Sequence, residues 1–195
     1  MFGGTSLGEA AMFIETEQTP NPATLKFLPG RSVMGSGTAD FISAEVAERS
    51  PLAQRLFQVE GVTGVFLGSD FVTVTKAEGK TWQLLKPAIL GIIMEHFAAN
   101  RPVILESTVA PAEAASGEED EIVTQIKELL ETRVRPAVAQ DGGDIIFQGY
   151  QDGVVYLHLQ GSCAGCPSST ATLKMGIENM LKHYVPEVVE VRQSA

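Results

Sequence analysis

The chain predicts an α+β fold: two small two-layer α/β domains joined by a flexible linker. Three observations point there. Short β-branched and aromatic runs alternate with longer stretches whose apolar residues recur at helical spacing. A single acidic, Pro/Gly-punctuated segment with no apolar stripe interrupts the chain at residues 106–118. With 195 residues, 44% hydrophobic and 19% charged, the chain has length for two modest cores and too much apolar content for global disorder.

In the N-terminal half, Phe13 to Glu17 and Thr24 to Leu28 read as strands, separated by the Pro20-Asn21-Pro22 turn and closed by Pro29-Gly30. Ser50-Pro51 is a helix start, with Ser50 as N-cap and Pro51 in the first helical position. Val62 to Leu67 and Phe71 to Thr75 form a hairpin across Gly68-Ser69-Asp70. The longest helix spans Trp82 to Ala99, with Leu85, Ile89, Ile92, Ile93 and Phe97 as its stripe.

The C-terminal half predicts the order α-β-β-α-β. A helix from Glu121 to about Ala139 buries Ile122, Ile126, Leu129, Leu130 and Val134, and Pro136 should kink or split it. Asp141-Gly142-Gly143-Asp144 is a stop and turn. Ile145 to Tyr150 and Val154 to Leu159 are strands joined through Asp152-Gly153. A helix from Ser169 to Tyr184 follows, and Val188 to Val191 closes the chain as a strand. The expected division is therefore a loose leader at 1–11, a first domain at 12–105, the linker at 106–118 and a second domain at 119–195. About a dozen flexible residues reach roughly 20 Å, so the two halves are expected to move relative to each other.

The formal net charge of −10 excludes a nucleic-acid backbone as main partner and makes anionic membrane surfaces unattractive. No apolar run is long enough to span a bilayer. The first eleven residues carry no Lys or Arg, so they look like neither a secretory signal nor a transit peptide. The reading is a cytosolic protein, or a mature one already trimmed.

The chemistry concentrates in Cys163 and Cys166, the only cysteines in the chain. They lie in Gly161-Ser162-Cys163-Ala164-Gly165-Cys166-Pro167-Ser168-Ser169, between a strand end and a helix start. A helix N-terminus stabilises nearby anions and lowers thiol pKa. Two thiolates are half of what a tetrahedral zinc site or an Fe–S cluster usually takes from protein. The pair can find other ligand types, join a second chain, or work as a thiol–disulfide oxidoreductase with one attacking and one resolving sulfur. Two small core hydrophobes in a tight turn is the non-functional reading. Other ligands are not obvious. His96 is expected on a helix surface, His158 on the solvated face of a strand, and His183 more than four turns down the last helix. Two copies bringing one C-x-x-C each would make a four-thiolate site at a two-fold axis.

The Asp141-Gly142-Gly143-Asp144 turn, the cysteine loop and Leu173-Lys174, Gly176-Ile177-Glu178 after it closely resemble the NifU C-terminal (Nfu) domain. Phe13 to Pro22 and Leu25-Lys26-Phe27 resemble the Nfu N-terminal domain of the mitochondrial and alphaproteobacterial type. That resemblance implies a non-enzymatic iron–sulfur scaffold or carrier. Cys163 and Cys166 would bind a [4Fe-4S] cluster bridging two subunits of a homodimer. Upstream assembly machinery would supply it and client apoproteins would receive it. The Asp-Gly-Gly-Asp turn is a family marker without a ligand role, and the cysteine-free N-terminal half implies client or partner docking.

Overall fold

The computed structural model of the chain describes residues 13–105, 121–164 and 167–194. The expected leader and linker lie outside the described residues. Two hydrophobic cores form, one from Ile14 to Phe97 and one from Ile126 to Val191.

The first core lies under a five-stranded antiparallel sheet. Its strands are β1 (Glu15–Gln18), β2 (Thr24–Leu28), β3 (Ala39–Phe41), β4 (Val62–Leu67) and β5 (Val72–Lys76), in the order β1-β2-β5-β4-β3. Leu25, Phe27, Val65, Leu67, Val72 and Val74 turn to this core, as period-2 alternation requires. Two helices supply the facing layer: α1 (Pro51–Phe57) and α2 (Trp82–Ala98). The Ser50 hydroxyl accepts from the Ala53 amide at 3.1 Å, the predicted N-cap, and donates to the Val103 carbonyl at 2.6 Å. Two elements escape the sequence reading. One is β3, three residues long; the other is the 3-10 turn Val46–Arg49. Both are too short to carry a periodic signal.

The second core fills a three-stranded sheet, β6 (Gly143–Gln151), β7 (Val154–Gly161) and β8 (Glu190–Gln193), in that order. The hairpin turn has Asp152 at φ 52° and Gly153 at φ 80°, the pair of positive values a type I′ turn demands. Ahead of this sheet in the chain, α3 (Glu121–Leu129) runs through a π-helical turn at Leu130–Val134 into α4 (Arg135–Gln140). Pro136 lacks an N–H and its ring crowds the carbonyl four residues back. The widened turn just before it absorbs that conflict, so the expected break becomes a bulge. After β7, α5 (Pro167–Tyr184) crosses over so that β8 pairs parallel to β7. Among the described residues, no helix is long and apolar enough to cross a membrane.

The two halves are in contact. The expectation that they lack a fixed arrangement meets, among the described residues, four side-chain hydrogen bonds across the boundary: Asn21, Lys26, Thr38 and Thr73 on one side, Ala164, Gln140, Asp144 and Gly142 on the other.

Candidate functional site

The site grows from the point where β7 ends and α5 begins. The loop between them closes onto the Asp141-Gly142-Gly143-Asp144 turn. The Ser162 amide donates to the Gly142 carbonyl at 3.2 Å, and the Ser162 hydroxyl donates to the Asp141 carbonyl in a short bond. Thr170 in the first turn of α5 donates its hydroxyl to the Cys163 carbonyl at 3.1 Å. The Ala164 amide donates to the Gly161 carbonyl at 3.1 Å. The cysteine loop is thus tied to both of its flanking elements.

Gly143 explains why this turn needs a second glycine. A β-carbon there would stand 2.6 Å from the Cys163 Sγ and 2.7 Å from the Gln160 carbonyl oxygen. The sulfur occupies the space a side chain would take. Gly142 has φ 80°, and its β-carbon would lie 2.9 Å from the Thr73 hydroxyl of the other half. The Asp-Gly-Gly-Asp marker is therefore a cradle: one glycine admits the thiol, the other admits the N-terminal sheet.

Asp144 has a separate task. It is 3% exposed, and a buried carboxylate must be paired. Arg135 of α4 gives it two hydrogen bonds, from Nε at 2.8 Å and Nη2 at 2.9 Å. Thr38 adds a third at 2.7 Å and the Ile145 amide a fourth at 2.8 Å. The hydrogen bonds from Arg135 to Asp144, with help from Glu131, raise the guanidinium pKa further and keep it charged. Asp144 fixes the turn that fixes Cys163; it is not aimed at the sulfur as a ligand.

Cys163 is a free thiol, 6% exposed. Burial pushes its pKa up to about 11, the Asp141 and Asp144 charges add to the rise, and the Ser162 hydroxyl opposes it. The rise runs against the lowering expected of a helix N-terminus: burial, which disfavours the thiolate, is the largest influence on this sulfur. Cys166, the other predicted ligand, lies outside the described residues.

The histidines do not gather at the site. His96 is fully buried in the first core, not on a helix surface as expected; its ring packs edge-on against Phe97 at 5.7 Å. His158 faces a cleft between the halves that also holds Asp40, Arg49 and Gln160. Burial raises the Asp40 pKa there, and the nearby His158 opposes the rise. His183 stacks edge-on with Tyr184 at the far end of α5. Among the described residues, no group of three or more His, Cys, Asp or Glu side chains is placed to hold a metal ion.

Comparison with known proteins follows the same two halves. The family model described as scaffold protein Nfu/NifU N terminal matches residues 14–100, and the NifU-like domain matches residues 126–192. The chain is 55% identical over 183 residues to the mitochondrial NFU1 iron-sulfur cluster scaffold homolog of Homo sapiens, covering 93% of this chain and 72% of that protein. It is 53% identical over 187 residues to the homolog of the same name from Drosophila ananassae, covering 95% of this chain and 65% of that one. The chain therefore spans just under two thirds of the length of that fly relative. A solved NifU-like protein from Saccharomyces cerevisiae aligns with a TM-score of 0.45 at 29% identity, covering 49% of this chain and 87% of that one. With both domain models matched in order and over half of all aligned residues shared with the human relative, the chain belongs to the Nfu family of NifU-like scaffold proteins.

Proposed function

We propose that the chain is a non-enzymatic carrier of iron–sulfur clusters. In this reading Cys163 and Cys166 of two copies hold one [4Fe-4S] cluster between two subunits. The cluster is cargo, received from upstream assembly machinery and passed to client apoproteins. Release is ligand exchange: each iron–thiolate bond to the carrier is replaced by one to a client thiolate, with no net oxidation or reduction. Residues 119–195 carry the cargo site, and residues 12–105 serve client or partner docking. The human and fly relatives bear mitochondrial names, which supports the matrix over the bacterial cytoplasm.

The observation that carries this reading is the turn built around one sulfur. Gly143 leaves room for the Cys163 Sγ and for nothing else, and the surrounding backbone is tied on both sides. Such a cradle suits a thiolate ligand, which must be held at a set position. It does not suit the attacking sulfur of a dithiol oxidoreductase, which needs exposure; Cys163 is buried.

Anaerobic reconstitution tests the proposal. The expected product is brown, with about four iron and four sulfide per two chains. Cluster retained by a Cys163→Ala/Cys166→Ala variant would overturn the ligand assignment. A colourless monomer whose two thiols cycle stoichiometrically with a disulfide substrate would favour the oxidoreductase.

A further inference from the structure

The face of the N-terminal sheet turned away from its helices carries one straight cross-strand row. Pairing places Glu17 beside Lys26, Lys26 beside Thr73, Thr73 beside Phe66, and Phe66 beside Asp40. On a lone sheet this row would be the solvated side. Here Lys26, Thr73 and Phe66 are 7%, 1% and 2% exposed.

What covers the row is the cysteine cradle. Lys26 Nζ donates to the Gln140 carbonyl at 3.2 Å, and Thr73 donates to the Gly142 carbonyl at 2.8 Å. A β-carbon on Gly161 would sit 3.0 Å from the Phe66 ring. Beyond the row, Thr38 reaches Asp144 at 2.7 Å, and Asn21 reaches the Ala164 carbonyl at 3.5 Å. The partners are the carbonyls and the carboxylate of the cradle itself.

We propose that the N-terminal sheet is an intramolecular cover for the turn and loop that hold Cys163: one chain closes on itself, and loading requires the halves to part. This rests on the reading of the site as half of a two-chain cluster site. In this proposal a second copy brings its own thiolates to the loop that the chain's own sheet covers, so cover and second copy compete for it. The seam suits reversible closure. Among the described residues its four side-chain hydrogen bonds run to backbone and carboxylate oxygens, a polar seam of the kind that domain motion opens. A closed majority state lowers the apparent affinity for cluster and partner by the fraction that is open.

The test uses the full-length chain with Cys166→Ser, which leaves Cys163 as the sole thiol. The rate of its reaction with a neutral aromatic disulfide reports how often the cover opens. Thr73→Val and Lys26→Met are each expected to raise that rate about tenfold, equivalent to about 1.4 kcal/mol of closure lost. Thr38→Val, at a partly exposed position, should act the same way if a sheet variant fails to fold. Rates equal to the parent's in folded variants would overturn the cover, as would a parent thiol that already reacts as fast as in denaturant. Small-angle scattering of the unmodified cluster-free chain gives a second reading: one compact particle is expected, and two separated bodies would overturn the proposal. Iron and sulfide binding with both cysteines present is scored separately. An unmasked thiol in a chain that never binds cluster keeps the cover and sinks the carrier. Normal loading with no change in thiol rate does the reverse.

Discussion

Thr38 and Asp144, 106 residues apart in sequence, meet at 2.7 Å. The hydroxyl comes from just before a short edge strand of the first half. The carboxylate stands at the end of the turn that cradles Cys163. Arg135 holds both carboxylate oxygens from the other side. One buried acid therefore ties a helix, the cysteine turn and the neighbouring domain together, and each tie can be cut separately.

Asp144→Ala should be the costly cut. It removes four accepted hydrogen bonds and leaves Arg135, partly buried, with only Glu131 as an ion-pair partner among the described residues. Charged hydrogen bonds to a buried group predict a loss of about 2–4 kcal/mol in urea unfolding. Thr38→Val removes a single bond and should cost about 1 kcal/mol. Combined with Asp144→Ala, it should cost almost nothing more, because its partner is already gone. Full additivity in the double-mutant cycle would mean that the two residues do not interact in solution.

Gly143→Ala should disable the site with the sheet intact. The added methyl would stand 2.6 Å from the Cys163 Sγ, so the thiol or the turn must move. Overpacking of this kind costs about 1–3 kcal/mol. Iron bound per chain after reconstitution should fall well below wild type. Gly149→Ala on the same strand is the control, since nothing lies within 4 Å of its β-carbon. If both variants bind iron equally well, the cradle is not what positions the sulfur.

Much of this architecture is legible in local signals. Ser50-Pro51 announces a capped helix and Asp152-Gly153 a hairpin turn. Each rests on neighbours in sequence. Beyond the elements too short to carry a period, the failures share one cause, contact between distant segments. Lys26 and Thr73 alternate with core residues, the pattern of a solvated face, yet both are buried and bonded to the other half. His96 sits in a helix whose sequence does not distinguish its polar side from its core side sharply; only the tertiary packing shows that it points inward. The two glycines at 142 and 143 read as a helix stop, because nothing local reveals that a sulfur and a foreign strand fill their missing side chains. The pull of burial on the Cys163 thiol is invisible for the same reason.

Gly91→Ala and Gly176→Ala should stabilise the chain. Both glycines lie inside helices, α2 and α5, without positive φ, and nothing lies within 4 Å of the position an added methyl would take. Alanine restricts the unfolded backbone and loses nothing in the folded one, for about 0.5–1 kcal/mol each. The sites are in separate halves, so the effects should add. A rise in thermal midpoint for each, and their sum in the double variant, is the expected outcome; a fall at Gly176 would mean that its surface is occupied in the native state.

His96 should make the first half acid-sensitive. The ring is fully buried, and neither of its nitrogens has a well-formed hydrogen bond. Burial lowers its pKa below the ordinary value. The neighbouring backbone at Pro102 and Arg101 opposes the drop, and the Arg55 and Arg101 charges add to it. The sign follows from proton counting. Below the pKa of the unfolded chain, the unfolded histidine binds a proton that the folded one resists. Stability is therefore whole at neutral pH and declines as pH falls through the unfolded value and towards the lowered folded one. Urea midpoints between about pH 7 and pH 5 should drop in the wild-type chain, and the drop should be shallower in His96→Leu, which keeps an apolar side chain in the same space and cannot titrate. Equal slopes in the two proteins would show that the buried imidazole is not the group that acid attacks.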